Sequence, residues 1–266
     1  MSETSRVGDA SERPEVGAEK RSTMRSLDRA LDVVEALVRA DGPQRLVDIA
    51  QATGLSSATA LRILTVLKER KFVAADGQRY QLGVANLASS YAFMRDSALS
   101  RHAKPYMQEL AAATSLSVAL YVRYGFSRVQ VVRINGKDPL RYELPNGRLL
   151  PLHLGLGKVF SAYMDRDEFD EFAGELPTVM RTIRGETFSV EDLWAETRQI
   201  REQRFHVSHE ERALGTVSLA APVVDPRGDL FAVLALLGPT EHSGSIGDEA
   251  LVAEITRAAG AIARVP

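Results

Sequence analysis

The chain has 266 residues, of which 45% are hydrophobic and 26% are charged. This composition is ordinary for a globular protein and leaves room for one large domain or two modest ones. The formal net charge is −2, so overall basicity gives no argument for nucleic-acid binding, and any DNA-binding charge must be local. The sequence has no cysteine, which excludes disulfides, thiolate metal ligands and cysteine nucleophiles.

The amino-terminal segment is polar and contains no apolar stretch of the kind found in signal peptides. We predict that residues 1–22 form a disordered tail, because they offer too little apolar surface to pack. No run approaches the roughly 18 apolar residues of a membrane span. We therefore expect a cytoplasmic protein that makes no membrane contact.

The first helical pattern begins near Ser26, a favourable N-cap residue, and stops at Asp41-Gly42-Pro43. Two short apolar-periodic runs follow within residues 46–67 and meet at Thr53-Gly54-Leu55. Two helices joined by a short glycine-containing turn form a helix-turn-helix unit. The second helix of such a unit enters the major groove of DNA.

A hairpin is predicted after this unit. Phe72–Ala74 and Arg79–Leu82 are short strand candidates around Asp76-Gly77, a strong turn signal. A helix-turn-helix followed by a hairpin is a winged helix, and we assign residues 23–83 to such a DNA-binding domain. Nine Lys and Arg against seven Asp and Glu over residues 24–83 give a local charge of only +2.

Polar positions on the second helix and at the wing are candidates for DNA contact. Arg62 can bind guanine bidentately or contact phosphate, and hydroxyl side chains can serve either purpose. The alternatives are an ordinary solvated helix face and a wing that touches nothing, since Arg79 is the only cation there. The candidate DNA-binding residues are Ser56, Ser57, Thr59, Arg62, Thr65, Gln78 and Arg79.

An apolar stripe follows the wing and predicts a linker helix over residues 84–98, which needs a second domain or a second chain as its partner. From residue 99 to residue 264, helical and strand-like runs are mixed, with several consecutive hairpins. This mixture predicts an α+β domain around an antiparallel sheet. The strand-like runs are Ser117–Arg123, Val129–Ile134, Leu140–Leu144, Thr216–Val224 and Leu230–Leu237. The helical runs include Leu154–Met164, Asp167–Phe172, Val190–Gln203 and Gly247–Ala263.

Several of these stretches together match one known pattern. In the first half they are SLDRAL at 26–31, LVDIAQATGL at 46–55, Arg62 and RYQLG at 79–83. In the second half they are Pro151-Leu152-His153, Gly157-Lys158, Glu211 and the run from Ser218 to Val223. The chain resembles the IclR family of bacterial transcriptional regulators. It differs from the family at Ser218, where cysteine is usual, and at Arg204-Phe205-His206, where Gly-Tyr-Ala is usual.

The resemblance implies a GAF-like effector-binding domain in the second half. It implies small organic acids or intermediates of aromatic catabolism as effectors, and homodimers or homotetramers. Glycines at a helix start can offer backbone N–H groups to an anion, although they can equally serve to pack the loop. Glu211 can orient a loop or an effector, or lie exposed. The implied effector-binding residues are Leu154, Gly155, Leu156, Gly157, Glu211, Ser218, Leu219, Leu234 and Leu236.

His206 and His209, beside Glu210 and Glu211, raise the question of a metal site. A helix would place His206 and His209 on one face, whereas a strand would place them on opposite faces, and the local sequence does not decide between the two. With only two imidazoles and no thiols, we expect neither a metal nor a cofactor. His153 is interpreted as a loop histidine, not as a general base.

The sequence predicts a regulator that represses or activates transcription, binds double-stranded operator DNA and responds to a small-molecule effector. Two alternatives stay open: an enzyme with an accessory DNA-binding segment, and a DNA-binding protein whose second domain only oligomerises. We expect no enzyme, because no group of titratable residues has a spacing that requires acid–base catalysis.

Overall fold

The computed structural model describes residues 24–137 and 144–264. The described residues form two compact units, which divide between Ser90 and Tyr91. The predicted tail, residues 1–22, and most of the predicted strand Leu140–Leu144 lie outside the described residues.

The first unit packs three helices against a three-stranded antiparallel sheet. Its elements are α1 Arg25–Arg39, β1 Gln44–Arg45, α2 Leu46–Ala52, α3 Ser57–Glu69, β2 Val73–Asp76 and β3 Arg79–Leu82. Its core contains Val33 and Leu37 of α1, Ile49 of α2, Leu64 of α3 and Val73 of β2. Each helix therefore contributes one apolar face, and the winged helix-turn-helix prediction is confirmed.

The helix starts of this unit differ in how they are capped. Ser56 caps α3 as predicted, since its side chain accepts a hydrogen bond from the Thr59 backbone N–H at 3.3 Å. The prediction that Ser26 caps α1 is wrong. The helix begins one residue earlier, at Arg25, with Met24 in the N-cap position and no capping hydrogen bond from its side chain. Ser26 lies inside the first turn, because the Asp28 N–H already donates to the Met24 carbonyl at 3.2 Å and so starts the helix before it.

The predicted hairpin is confirmed, with its turn at Gly77-Gln78. Asp76 pairs with Arg79, and Gly77 has a φ of +57°, the left-handed conformation that such a two-residue turn requires. The hairpin gains a third strand, because Gln44 of β1 pairs with Tyr80 of β3. A two-residue strand is too short to produce a recognisable alternation, so the sequence did not predict β1.

Helix α4, Val84–Asp96, spans the boundary between the two units, and none of its residues is buried. It ends two residues before the predicted limit at residue 98, because Ser97 caps a new helix.

The second unit is built on a six-stranded antiparallel sheet in the order β6-β5-β4-β11-β10-β9, with a separate two-stranded sheet of β7 and β8. Its strands are β4 Ser117–Tyr124, β5 Ser127–Ile134, β6 Leu149–Pro151, β7 Met180–Arg181, β8 Thr187–Phe188, β9 His206–His209, β10 Thr216–Val224 and β11 Leu230–Pro239. Its helices are α5 Ala98–Thr114, α6 Lys158–Ser161, α7 Arg166–Gly174, α8 Val190–Gln203 and α9 Glu249–Ile262. Short 3-10 turns lie at Gly155–Gly157 and Thr240–His242.

This α+β architecture with an antiparallel sheet confirms the predicted fold class. The helix predicted over Leu154–Met164 is shorter than expected, since it consists of the first 3-10 turn and the four residues of α6. Within the described residues, none of the helices combines the length and the apolar character that crossing a membrane requires.

Both faces of the six-stranded sheet are covered by helices. One face packs on α5 and α9, and the other packs on α6, α7 and α8. Successive side chains of a strand point to opposite faces. In β10, Leu219 therefore faces α5 and α9, whereas Ala220 faces the other layer. Any polar side chain within the central strands is thereby held between two layers and needs a partner.

Candidate functional site

The exposed surface of α3 carries the candidate DNA-contacting groups. Arg62 is exposed, and it forms no hydrogen bond or ion pair with the residues that the structure describes. Ser57 and Thr65 are exposed on the same helix. Thr65 donates its hydroxyl to the Leu61 carbonyl at 2.8 Å, which leaves its oxygen lone pairs as acceptors. Arg62 is therefore the strongest donor that α3 presents to solvent near its centre.

Two of the predicted hydroxyl residues have a structural role. The Ser56 and Thr59 hydroxyls lie 2.9 Å apart, and Ser56 also caps the helix. At the wing, Gln78 and Arg79 are both exposed. Arg79 donates from Nη1 to the Pro43 carbonyl at 3.0 Å and thereby ties the hairpin to the segment before β1.

A small cavity of about 50 Å³ lies in the second unit, between the end of the sheet and the turn at Gly155–Gly157. Its lining is strongly cationic for its size, since it includes Arg128, Arg133 and Arg212 against a single carboxylate, Glu211. The other lining residues are Tyr121, Leu144, Leu150, Gly155, Leu156, Ser208, Ala213, Thr216, Ser218 and Leu237.

Arg128 of β5 is the dominant charge of this cavity. It is only 1% exposed, and its guanidinium lies 6.0 Å from the centre of the Tyr121 ring. Nη1 donates to the Pro151 carbonyl, while Nε is buried without a hydrogen-bond partner among the described residues. Burial lowers the pKa of Arg128 to about 9, so the group remains a cation at neutral pH. A buried cation with an unused donor is suited to receive an anion.

The turn before α6 is fixed by Glu211. The Gly155 backbone N–H donates to Glu211 Oε2 at 3.0 Å, and Lys158 Nζ lies 2.7 Å from the same oxygen. Burial would raise the pKa of the Glu211 carboxyl, but the nearby His206 ring and the Lys158 ammonium together lower it well below its ordinary value. Glu211 is thus an ionised carboxylate that organises the turn. It already occupies the Gly155 N–H that the sequence analysis offered to an anionic effector.

Glycine is required at Gly155 and at Gly157 for different physical reasons. Gly155 has a φ of +57°, which disfavours other residues. At Gly157, a Cβ atom would lie 2.6 Å from the Pro151 carbonyl oxygen and 2.8 Å from that of Leu152, beside the guanidinium of Arg128. Gly157 therefore lets the turn pack closely, and its backbone N–H already donates to the Leu154 carbonyl at 3.2 Å.

Four of the nine predicted effector-binding residues line the cavity, namely Gly155, Leu156, Glu211 and Ser218. Leu154 and Gly157 flank it without lining it. Leu219, Leu234 and Leu236 do not line the cavity, because they are fully buried on the α5 and α9 side of the sheet. Ser218 pairs with Leu237 across the strands, so Leu237 shares its face and lines the cavity instead.

Four lining residues were not among the predicted effector-binding residues, namely Tyr121, Arg128, Arg133 and Arg212. A signal for Arg128 was present, because Arg128 and Gln130 alternate with Val129 and Val131. Such alternation shows that one face of a strand is polar. Because the predicted strand began at Val129, Arg128 lay just outside it.

The histidines are separated as a strand requires. His206 is buried and His209 is exposed on opposite faces of β9, so the pair that raised the metal question does not converge. His153 has its pKa lowered by burial and by the charges of Arg128 and Lys158, which keeps the ring neutral. This agrees with its interpretation as a loop histidine.

Comparison with known proteins decides the family. Residues 26–77 match the IclR helix-turn-helix domain, and residues 92–264 match the domain described as bacterial transcriptional regulator IclR C-terminal. The chain belongs to the IclR family. It is therefore a DNA-binding transcriptional regulator and not an enzyme, as the sequence predicted.

Individual relatives agree with this assignment. The HTH-type transcriptional regulator BhcR of Paracoccus denitrificans is 29% identical over 238 residues, which cover 85% of this chain and 81% of BhcR. An IclR family regulator from Brucella abortus has a similar crystal structure, with a TM-score of 0.76, 22% identity and coverage of 93% and 95% of the two chains. An IclR homologue from Microbacterium hydrocarbonoxydans, solved as a complex with 4-hydroxybenzoate, has a TM-score of 0.63, 18% identity and coverage of 89% and 97%.

The close packing at Gly157 gives a stability prediction for this IclR-family protein. Gly157→Ala should lower the free energy of unfolding of the second unit by about 1–3 kcal/mol, because the added methyl meets two backbone carbonyls. Urea unfolding followed by fluorescence measures this change, since the single tryptophan of the chain, Trp194, lies in the second unit.

Gly174→Ala is the matched control. A Cβ atom at Gly174 meets nothing within 4 Å, and the residue ends helix α7, so we expect equal or slightly higher stability. Equal unfolding midpoints for the Gly157→Ala variant and the unchanged protein would contradict the packing argument.

Proposed function

We propose that this regulator reads operator DNA with the exposed face of α3 and with the wing, and that a small carboxylic acid in the Arg128 cavity modulates the binding. The proposed domains are residues 23–83 for DNA binding, 84–98 as a linker helix and 99–264 for the effector. Because its target is the bacterial chromosome, the protein acts in the cytoplasm.

One observation carries the effector proposal, namely the buried guanidinium of Arg128 at the cavity wall, whose Nε has no hydrogen-bond partner among residues 24–137 and 144–264. A carboxylate that accepts this donor would complete the hydrogen bonding of a buried cation, and its affinity would come from satisfying a group that is already desolvated. Glu211 Oε2 is already engaged by the Lys158 ammonium and the Gly155 N–H, so this oxygen does not complete the hydrogen bonding of Arg128.

The size of the cavity narrows the class of acid. About 50 Å³ is far below the roughly 150 Å³ of a cavity that accommodates benzene. Aliphatic acids of two to four carbons therefore suit the cavity better than benzoates do. The relative from Microbacterium hydrocarbonoxydans, which binds 4-hydroxybenzoate, supports an acid as effector but not the same acid.

The effector proposal predicts a contrast between acids and their amides. Two- to four-carbon carboxylates at about one hundred times their Kd should raise the melting temperature by about 5–10 °C. The matching carboxamides, which have the same shape without the charge, should leave it unchanged. Differential scanning fluorimetry of the full chain measures both.

Arg128→Met should abolish the shift caused by the acids, whereas Arg257→Met, a change of an exposed arginine on α9, should preserve it. Equal shifts for acids and amides in the unchanged protein would overturn the proposal even if the Arg128→Met variant fails to fold. An acid that shifts the melting temperature without changing the affinity for DNA would support binding in the cavity but would refute the regulatory role of that binding.

The DNA-binding part of the proposal predicts a loss at Arg62. Arg62→Ala should weaken binding to an operator duplex selected from a random library by about 1–3 kcal/mol, because one base or phosphate contact is removed. Fluorescence anisotropy measures the affinity, and circular dichroism checks that the variant is folded.

Arg39→Ala serves as the control, since Arg39 is also exposed in the first unit but pairs with Glu35 on α1. The two variants should differ clearly in affinity. If Arg62→Ala and Arg39→Ala bind the duplex equally well, Arg62 does not contact DNA.

We propose that the chain forms a homodimer or homotetramer through α4. Val84, Leu87 and Tyr91 recur at helical spacing and are 69%, 70% and 67% exposed. Such an apolar stripe on a surface helix is typical of an interaction face. A dimer would also present two copies of α3 to two operator half-sites.

Leu87→Lys should convert the assembly into monomers, because a charge placed in an apolar interface loses its hydration. Ser89→Lys adds the same charge on the opposite side of α4 and should leave the assembly intact. Size-exclusion chromatography with light scattering gives the mass, and a monomeric unchanged protein would refute this proposal.

A further inference from the structure

A cationic groove lies on the second unit, between the first turns of α5 and strand β5. It has a volume of about 270 Å³ and is lined by Arg101 and Lys104 of α5 and by Arg133 of β5. The other lining residues are Met94, Ser100, Val131, Val132, Ile134 and Asn146. The described lining residues therefore include three side-chain cations and no carboxylate. A concave surface with this charge attracts anions.

Ser100 presents a hydroxyl without a partner at this groove. The residue is only 8% exposed, and its Oγ forms no hydrogen bond with any other residue that the structure describes. Its backbone N–H is already used, because it donates to the Ser97 hydroxyl at 3.2 Å. A buried hydroxyl without a partner costs free energy, and a bound acceptor would remove that cost.

Arg133 supplies a second unused donor. Its Nε donates to the Asn135 side-chain oxygen at 2.8 Å, whereas its Nη2 is buried with no partner in the described part of the chain. Arg101 is partly engaged, since its Nη1 donates to the Arg95 carbonyl at 3.1 Å. Lys104 is exposed and forms no ion pair within residues 24–137 and 144–264. The groove thus offers donors from four side chains that could converge on one anion.

The start of a helix adds to the positive potential of the groove. Ser100 and Arg101 lie in the first turn of α5, a helix of 17 residues, and the N-terminal end of a helix carries a partial positive charge. The nearby Asp96 carboxylate does not line the groove and is paired with Arg95, whose Nη2 lies 2.6 Å from Oδ2. This pair contributes no net charge beside the groove.

We propose that this groove binds the phosphate group of a small molecule, at a site separate from the effector cavity. A phosphate offers three acceptor oxygens and nearly two negative charges at neutral pH, so it can use the hydroxyl and several cations at once. Guanidinium groups bind phosphate bidentately, and an ammonium binds it as a point charge. The ligand is therefore inorganic phosphate or a small phosphate monoester, whose carbon chain would contact the partly buried Met94 and Val132.

The groove and the effector cavity share one lining residue, Arg133. Ser100 and Lys104 line the groove but not the cavity, whereas Arg128 lines the cavity but not the groove. Variants of these three residues therefore report on the two sites separately.

Isothermal titration calorimetry of the full chain with inorganic phosphate and with glycerol 3-phosphate tests the site. Glycerol is the uncharged control, and chloride keeps the ionic strength constant. We expect one phosphate group bound per chain and no heat from glycerol. A lower Kd for the ester would assign the groove to organic phosphates, and an equal or higher Kd would assign it to the free ion. No saturable binding of either compound would overturn the proposal.

Ser100→Ala tests the groove without a cost to folding, because the hydroxyl that it removes makes no hydrogen bond to the described residues. The Kd for phosphate should rise about 10-fold, while the melting temperature of the free protein stays equal or rises. Lys104→Gln should raise the Kd at least about 5-fold, because a charged contact is lost. Arg198→Gln, which removes an exposed cation from α8, is the matched control and should change the Kd less than about 2-fold.

Arg128→Met separates this proposal from the effector proposal. Phosphate should still bind to this variant, whereas the response to small carboxylic acids should be lost. An unchanged Kd for phosphate in both Ser100→Ala and Lys104→Gln would refute the groove as the site. That result would leave the effector proposal untouched, because the contrast between acids and amides is measured on the unchanged protein.

Discussion

The Glu211 carboxylate organises the functional end of the second unit. With its side chain only 12% exposed, an ionised carboxylate must find donors or unfold the segment that holds it. It finds the Gly155 N–H and the Lys158 ammonium, which lie 56 and 53 residues away in sequence. These bonds fix the turn before α6 against the loop after β9 and close one side of the cavity. The remaining oxygen, Oε1, is left facing His206.

Because Glu211 already accepts the backbone N–H of the glycine turn, another group must recognise an acid. The sheet supplies Arg128, whose position between two helical layers makes its charge costly and its hydrogen bonds valuable. Gly157 must be glycine, because the Arg128 guanidinium and two backbone carbonyls leave no room for a side chain there. The cationic wall and the glycine turn are thus two parts of one packing arrangement.

The first unit was predictable because its signals are local. The Ser56 cap, the Gly77 turn and the apolar faces of α1 to α3 each act within a few residues. The start of α1, the bounds of β2 and the two-residue strand β1 were misjudged. The cavity was less predictable, because strand side chains alternate between faces. Ser218 and Leu219 are neighbours in sequence but belong to opposite layers, and only the pairing of Ser218 with Leu237 reveals which residues share the cavity. Glu196 and Lys158 reach Glu211 by tertiary folding alone.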